Sequence, residues 1–236
     1  MAALMLAALL AASPHVVLDA GHGGEKTGAK NAAGVYEKTI TLAVAKQAKK
    51  TLEAAGFVVT MTRGDDTHVK LPDRVAMANA VGADVFVSIH ANWAATPTRS
   101  GAETYILSPD ASDGDAASLM HLENEEDEKL PAAAEQKSDL DLILGDLARM
   151  TAHKDSAALA KHLQTRVANV GGLGPNRGLR QAPFLVLRGA DMPAALVELG
   201  YLSHARQGDV LATSSAQKAA GDAVANAIKA FLEGKK

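Results

Sequence analysis

The segment HVVLDAGHGG, residues 15–24, contains the first element that sets the fold of this chain. Its opening residues, HVVLDA (15–20), form a short apolar run rich in β-branched side chains, which predicts a buried β-strand. Gly21 ends the strand, and His22 follows it between glycines. This loop has two explanations: either its glycines cradle an anion, or they make room for a functional imidazole.

Strand-like and helix-like segments alternate downstream of this strand. Apolar residues recur at helical spacing from Thr39 to Ala55, and LPDRVAMANAVG (71–82) has a proline near its first turn and a glycine at its end. Alternating strands and helices predict one α/β domain with a mostly parallel central sheet of about six strands, flanked by helices. We place these strands at 15–20, 57–62, 83–92, 101–108, 184–188 and 193–200, with 101–108 at an edge of the sheet.

An acidic segment interrupts this pattern between residues 109 and 154. It holds 12 acidic and 4 basic residues, so its net charge is −8 and the remainder of the chain carries +5. Apolar residues between 140 and 147 follow helical spacing, and ASLMHLENEEDE (117–128) is a second helical stretch. The segment is predicted to be a helical insertion within a domain that covers 14–236, although a solvated charged loop has the same composition.

The overall composition narrows the classes of function. The chain has 236 residues, of which 47% are hydrophobic, so it can bury a sizeable core. It has no cysteine, so a bound metal would need His, Asp or Glu ligands. Its net charge of −3 argues against nucleic-acid binding. The apolar leader MAALMLAALLAAS (1–13) is too short for a membrane span, and it is either a short helix or the remnant of a secretory signal.

Four polar residues stand at the ends of predicted elements. His22 follows the first strand, and Glu37 stands at the start of the helix after it. His90 ends the strand FVSIHAN, and Glu198 ends the last strand, ALVELG. In an open parallel sheet, functional sites gather beyond the carboxyl ends of the strands, so we expect these four side chains to meet at one edge.

Each of these residues also has an ordinary structural role, such as a hydrogen-bonded core histidine or a glutamate that favours a helix N-terminus. Nucleotide binding is disfavoured because GHGGEKTG lacks both the dinucleotide and the phosphate-loop spacing. Several converging polar groups without a partner favour a divalent metal. Two imidazoles and one carboxylate that leave a fourth position open are typical of catalytic zinc. Glu198 would then be the general base in hydrolysis of an amide or ester.

Seven motifs also follow one another in the order found in a known family. They are VVLDAGHGG, YEKTITLAVA, LPDRVAMAN, VFVSIHAN, GAETYIL, NRGLRQAPFLVL and MPAALVELGYLS. Through them the chain resembles, over about residues 15–232, the zinc-dependent N-acetylmuramoyl-L-alanine amidases of bacterial cell walls.

The resemblance implies a role for each of the four residues. His22, Glu37 and His90 correspond to the ligands of one Zn²⁺ per chain, and Glu198 corresponds to the catalytic glutamate. The implied reaction cleaves the amide between the lactyl group of N-acetylmuramic acid and the L-alanine that begins the stem peptide.

The acidic insertion resembles that of the amidases that split septal peptidoglycan during cell division. There a helix covers the zinc cleft and a glutamate takes the open zinc position. Aligning the Glu-Asn pair gives Glu123 for that position, with Glu125 and Glu126 as close alternatives. In that family a coiled-coil activator protein with a degenerate peptidase domain displaces the helix. Its docking surface would include apolar positions that could equally be packing residues: Leu140, Leu144 and Leu147.

The resemblance further implies an exported, periplasmic enzyme that acts on peptidoglycan. Two other functions stay open from the sequence. One is a wall-binding module that keeps the fold without turnover, and the other is a metal-dependent deacetylase on a similar sheet.

Overall fold

The computed structural model of the chain describes residues 13–125 and 139–235, with the backbone alone for residues 139–152. In these ranges six strands form one sheet, and helices cover both of its faces. The strands are β1 (His15–Ala20), β2 (Val58–Met61), β3 (Val85–Asn92), β4 (Ala102–Leu107), β5 (Asn176–Ala182) and β6 (Ala194–Tyr201). The helices are α1 (Glu37–Ala54), α2 (Leu71–Ala80), α3 (Gly114–Asn124), α4 (Asp139–Val167), α5 (Ala205–Leu211) and α6 (Ser214–Glu233).

The sheet is mostly parallel, with strand order β2-β1-β3-β6-β4-β5. Neighbouring strands pair in parallel at four of the five contacts, and only β4 and β6 are antiparallel. This confirms the predicted single α/β domain with a mostly parallel sheet of six strands. The carboxyl ends of β1, β3 and β6 therefore lie side by side at one edge.

The prediction of an edge position for 101–108 was wrong. This segment forms β4 inside the sheet, and the edge strand is β5, with the sequence NRGLRQA. β5 lacks an apolar pattern because most of its side chains are only partly buried, as is usual at a sheet edge. Hydrophobic periodicity consequently does not reveal it.

The predicted strand at 184–188 was also wrong, because this apolar run forms a 3-10 turn at Leu185–Leu187. Phe184, Val186 and Leu187 are buried in the core beside α2. The backbone N–H of Leu185 donates to the side chain of Asn124 in α3 instead of to a neighbouring strand. A short buried apolar run has the same composition in a strand and in a turn, so composition does not separate them.

Two apolar layers enclose the sheet. On one face α1, α4 and α6 pack over the strands, and on the other face lie α2, α3 and the 3-10 turn. Because side chains alternate between the faces of a strand, Phe86 of β3 and Leu196 of β6 share the α2–α3 face with His90 and Glu198. The polar residues at the carboxyl edge therefore lie beneath α3.

The helix α4 runs without a break from Asp139 to Val167, so it continues past residue 154, where the predicted insertion ends. The extent of the insertion stays a prediction, as does the domain assignment. Residues 1–12, which hold nearly all of the apolar leader, lie outside the described residues. In the part of the chain that the structure describes, no helix is long and apolar enough to cross a bilayer.

Candidate metal centre

The structure brings His22, Glu37 and His90 together with Glu123 of α3. The Nε2 atom of His22 lies 2.9 Å from Oε1 of Glu37, and Nδ1 of His90 lies 3.2 Å from the same oxygen. Oε2 of Glu123 lies 2.9 Å from His90 Nδ1 and 3.6 Å from His22 Nε2. All four residues are buried, and their four donor atoms lie within 4.8 Å of one another. We call this set the donor cluster.

The donor cluster fits a tetrahedral metal ion. Zinc bonds to nitrogen and oxygen ligands of roughly 2.0–2.2 Å imply a separation of about 3.4 Å between ligand atoms, close to the distances in the cluster. The cluster also places the carboxylates of Glu37 and Glu123 together in a buried site, an arrangement that a bound cation stabilises. Two imidazoles with carboxylate oxygens are a donor set that zinc prefers.

Backbone groups hold Glu37 in place. Oε1 accepts a hydrogen bond from the N–H of Ala91 and Oε2 accepts one from the N–H of Ala29, both at 2.9 Å. Burial alone would raise the pKa of Glu37, but the neighbouring histidines outweigh it and lower that pKa below its usual range. Glu37 therefore stays ionised, as a metal ligand must.

The structure favours the second explanation of the loop after β1, in which its glycines make room for the functional imidazole of His22. His22 has a φ of 60°, in the left-handed region that non-glycine residues rarely adopt, so its backbone is strained. A Cβ atom on Gly21 would lie 2.5 Å from the His90 ring, and one on Gly28 would lie 2.5 Å from Glu37 Oε2. These glycines make space for the donor cluster.

Burial and the neighbouring carboxylates have opposing effects on the pKa of His90. Burial alone would lower its pKa, but the carboxylates of Glu123 and Glu37 raise it well above its usual range. Neither ring nitrogen makes a hydrogen bond with good geometry to a described residue, but Nδ1 lies 2.9 Å from Glu123 Oε2 in the donor cluster. His90 therefore presents Nδ1 to the donor cluster as its candidate metal-binding atom.

Glu198 lies beside the donor cluster without belonging to it. Its position in β6 pairs with His90 on β3 and with Glu103 on β4, and its side chain is fully buried. Neither of its oxygens hydrogen-bonds to a described residue. Burial raises the pKa of Glu198 well above its usual range, and nearby carboxylates add to the rise while His90 opposes it. A buried carboxyl with a raised pKa is typical of groups that transfer protons in catalysis.

Two arginines that the sequence analysis missed support the His22 loop. Arg74 donates to Asp19 at 2.9 Å and to the backbone carbonyls of Ala20 at 2.9 Å and His22 at 3.0 Å. Arg63 donates to the carbonyls of Ala20 and Gly21, both at 2.8 Å. Both side chains are buried, and their fixed fork geometry holds the loop after β1 in one conformation.

A second buried carboxylate, Glu103, was also missed. It accepts hydrogen bonds from the hydroxyls of Tyr105 and Tyr201 and from Arg177, and Arg180 Nε lies 3.1 Å from its Oε2. Unlike Glu198, it is thus fully partnered. Arg177 and Arg180 lie on the edge strand β5. The polar sequence of that strand is the pattern from which buried partners such as Glu103 could have been predicted.

The helix α3 lies across the donor cluster and is attached at both ends. Asp113 caps its N-terminus by accepting from the N–H of Ala116 at 2.9 Å. Near its C-terminus, the Asn124 side chain donates to the carbonyl of Pro183 at 3.1 Å. A cleft of about 590 Å³ beside the helix is bordered by the donor cluster and by exposed Trp93. Glu125 is exposed, so among the described residues Glu123 is the insert glutamate that reaches the histidines.

The remaining predicted residues lie wholly or partly outside the described part of the chain. Leu140, Leu144 and Leu147 lie on the backbone of α4, but their side chains are outside the described part of the chain, as is Glu126. Their proposed contacts stay predictions.

A mostly parallel sheet with a His–Glu donor cluster at its carboxyl edge has the layout of a metal-dependent hydrolase. Residues 16–230 match the Amidase_3 family, N-acetylmuramoyl-L-alanine amidase. The chain belongs to this family.

Individual relatives agree with this assignment. AmiA of Escherichia coli K12, an N-acetylmuramoyl-L-alanine amidase, is 35% identical over 219 residues, which cover 92% of this chain and 75% of that protein. AmiC of Neisseria meningitidis serogroup B is 33% identical over 93% of this chain, which spans about half (53%) of that relative. The solved catalytic domain of the amidase CwlV from Bacillus (Paenibacillus) polymyxa superposes with a TM-score of 0.70 at 31% identity, covering 93% of this chain and 98% of that one.

Proposed function

We propose that the chain is a zinc-dependent peptidoglycan amidase that hydrolyses the bond between the lactyl group of N-acetylmuramic acid and the L-alanine of the stem peptide. The observation that carries the proposal is the donor cluster with Glu198 directly beside it. Membership of the amidase family supports the choice of substrate. The similarity to AmiA and AmiC supports the amidase reaction, and with it we propose the periplasmic location and the role in septum splitting that the sequence motifs imply.

In this proposal His22, Glu37 and His90 hold one zinc ion. When bound, the ion supplies Lewis-acid chemistry, because zinc polarises a carbonyl group and lowers the pKa of water. Glu37 is kept ionised by the neighbouring histidines and is oriented by the backbone N–H groups of Ala29 and Ala91, from which it accepts hydrogen bonds.

Glu198 is the proton-transfer group. Its carboxylate takes a proton from the water that attacks the amide carbonyl carbon, and it returns that proton to the leaving nitrogen of L-alanine. Its burial raises its pKa well above the usual range of a carboxyl, which makes it a stronger base toward that water.

The chain is also proposed to be autoinhibited by α3. Glu123 stands in the donor cluster where the substrate carbonyl would have to bind, and the helix covers the cluster. An acidic helix is attracted both to a metal ion and to a body of positive net charge. A partner protein with a coiled coil and a degenerate peptidase domain would displace α3, with Leu140, Leu144 and Leu147 as candidate contacts.

Digestion of purified sacculi by the full-length chain tests the reaction and its inhibition together. We expect the Glu123→Ala variant to release stem peptides with a free L-alanine amino group, and to do so roughly 10- to 100-fold faster than the unchanged chain, since it loses a charge-assisted contact. Mass spectrometry of the soluble products identifies the bond that is cleaved.

Glu125→Ala is the matched control, because this exposed glutamate lies two residues away on the same helix end. It should digest sacculi at the rate of the unchanged chain. Released acetate in place of stem peptides would show a deacetylase, and sacculus binding without any product would show a wall-binding module. An equal increase in the digestion rate from Glu123→Ala and Glu125→Ala would contradict the inhibitory role of Glu123.

A further inference from the structure

Three arginines lie at the end of α3 opposite to the donor cluster. Arg99 Nη1 lies 2.8 Å from Asp115 Oδ1, and Arg177 Nη2 lies 3.5 Å from Asp115 Oδ2. Arg180 forms an ion pair with Asp113, which also caps the helix. We call Arg99, Arg177 and Arg180 the arginine cluster. All three guanidinium groups therefore pair with carboxylates at the N-terminal end of α3. The other end of α3 places Glu123 in the donor cluster.

The arginine cluster is built into the sheet. Arg177 and Arg180 both contact Glu103, which is fully buried and also accepts hydrogen bonds from the hydroxyls of Tyr105 and Tyr201. The guanidinium of Arg177 also lies 5.6 Å from the centre of the Tyr201 ring. These contacts hold the guanidinium groups of Arg177 and Arg180 in place before any ligand binds, which reduces the entropy lost on binding.

The charges of this region balance only while α3 is docked. Three guanidinium groups then face the carboxylates of Glu103, Asp113 and Asp115. When α3 leaves, three positive groups face Glu103 alone, which leaves an excess charge of about +2 under the displaced helix. Partly buried guanidinium groups of this kind bind a carboxylate strongly and often through two parallel hydrogen bonds.

The donor cluster and the arginine cluster lie along one line. His90 on β3, Glu198 on β6 and Glu103 on β4 are successive register partners, and the arginines Arg177 and Arg180 follow on β5. Three strand spacings of about 4.8 Å separate β3 from β5 by about 14 Å. The eight residue steps from Asp115 to Glu123 rise by about 12 Å along the helix axis, which agrees with this span.

We propose that the arginine cluster is a binding subsite for a carboxylate of the substrate peptide, and that Asp113 and Asp115 occupy it when α3 is docked. An extended peptide advances about 3.3–3.6 Å per residue, so a carboxylate at the third or fourth residue after the cleaved amide reaches the cluster. The helix thus blocks the metal with one end and the peptide subsite with the other. This inference rests on the proposed function for the direction of the peptide.

Binding of muramoyl-alanine peptides of one to five residues tests the subsite, with each peptide made as a C-terminal acid and as a C-terminal amide. The protein is the full chain with Asp113→Asn, Asp115→Asn and Glu123→Ala, which release α3, and Glu198→Gln, which prevents turnover. We expect the acid to bind roughly 10- to 100-fold more tightly than the amide at three or four residues, and about equally at one residue.

Arg99→Gln and Arg177→Gln should each remove most of this preference while leaving the affinity for the amides unchanged. Arg99 lies apart from the buried Glu103 contacts, so its variant keeps the test valid if Arg177→Gln does not fold. Arg206→Gln, at an exposed arginine on α5, is the control and should keep the preference. Equal binding of acids and amides at every length, or an equal loss for both in the arginine variants, would overturn the proposal. Because binding is read without cleavage, failure of the amidase reaction shows separately in the sacculus assay.

Discussion

Glu198→Gln is expected to lower the rate of amide cleavage by about 10²- to 10⁴-fold, the usual contribution of general acid–base catalysis. The amide side chain of glutamine has nearly the shape of a carboxyl but cannot accept a proton from water. Since Glu198 lies outside the donor cluster, zinc content should stay at one ion per chain. The rate is measured on sacculi in the Glu123→Ala background, with zinc measured by atomic emission.

Glu233→Gln, at an exposed glutamate near the end of α6, serves as the control and should leave the rate unchanged. The folded state of the Glu198 variant should be at least as stable as that of the parent, because it no longer buries an ionisable group without a hydrogen-bond partner among the described residues. A rate within threefold of the parent would exclude Glu198 as the proton-transfer group.

Arg74→Met is expected to lower the free energy of unfolding by about 3–5 kcal/mol, the cost of removing one partner from a buried ion pair. The change leaves Asp19 without its guanidinium partner and removes hydrogen bonds from the carbonyls of Ala20 and His22. Because the His22 carbonyl then loses its guanidinium donor, zinc affinity should also fall roughly 10- to 100-fold. Urea denaturation and competition with a chromophoric chelator measure the two effects.

Arg206→Met is the comparison for this change, because Arg206 is exposed and surface substitutions usually alter stability by less than about 0.5 kcal/mol. If both arginine variants unfold at the same urea concentration and bind zinc equally, Arg74 does not position the loop.

Much of the fold and of the site follows from local sequence patterns. The strand HVVLDA and the strand that ends at His90 are apolar and continuous, as expected of buried parallel strands. Because the carboxyl ends of such strands share one edge, the sequence alone predicts that His22, His90 and Glu198 lie near one another.

The missed elements depend on tertiary contacts. β5 has an irregular, polar sequence because it lies at an edge and its arginines pair with Glu103, which is distant in sequence. Arg63 and Arg74 belong to a residue type that is usually exposed, and only the fold places them under the His22 loop. The choice between Glu123 and Glu125 likewise requires the position of α3 over the sheet, which a single sequence does not contain.

Anomalous X-ray diffraction at the zinc absorption edge, from crystals of the full chain supplied with zinc, tests the central claim most directly. We predict one anomalous peak per chain, within about 2.0–2.3 Å of His22 Nε2, a Glu37 carboxylate oxygen and His90 Nδ1. The absence of a peak among these atoms, or a single peak at another place in the chain, would contradict the metal centre described above.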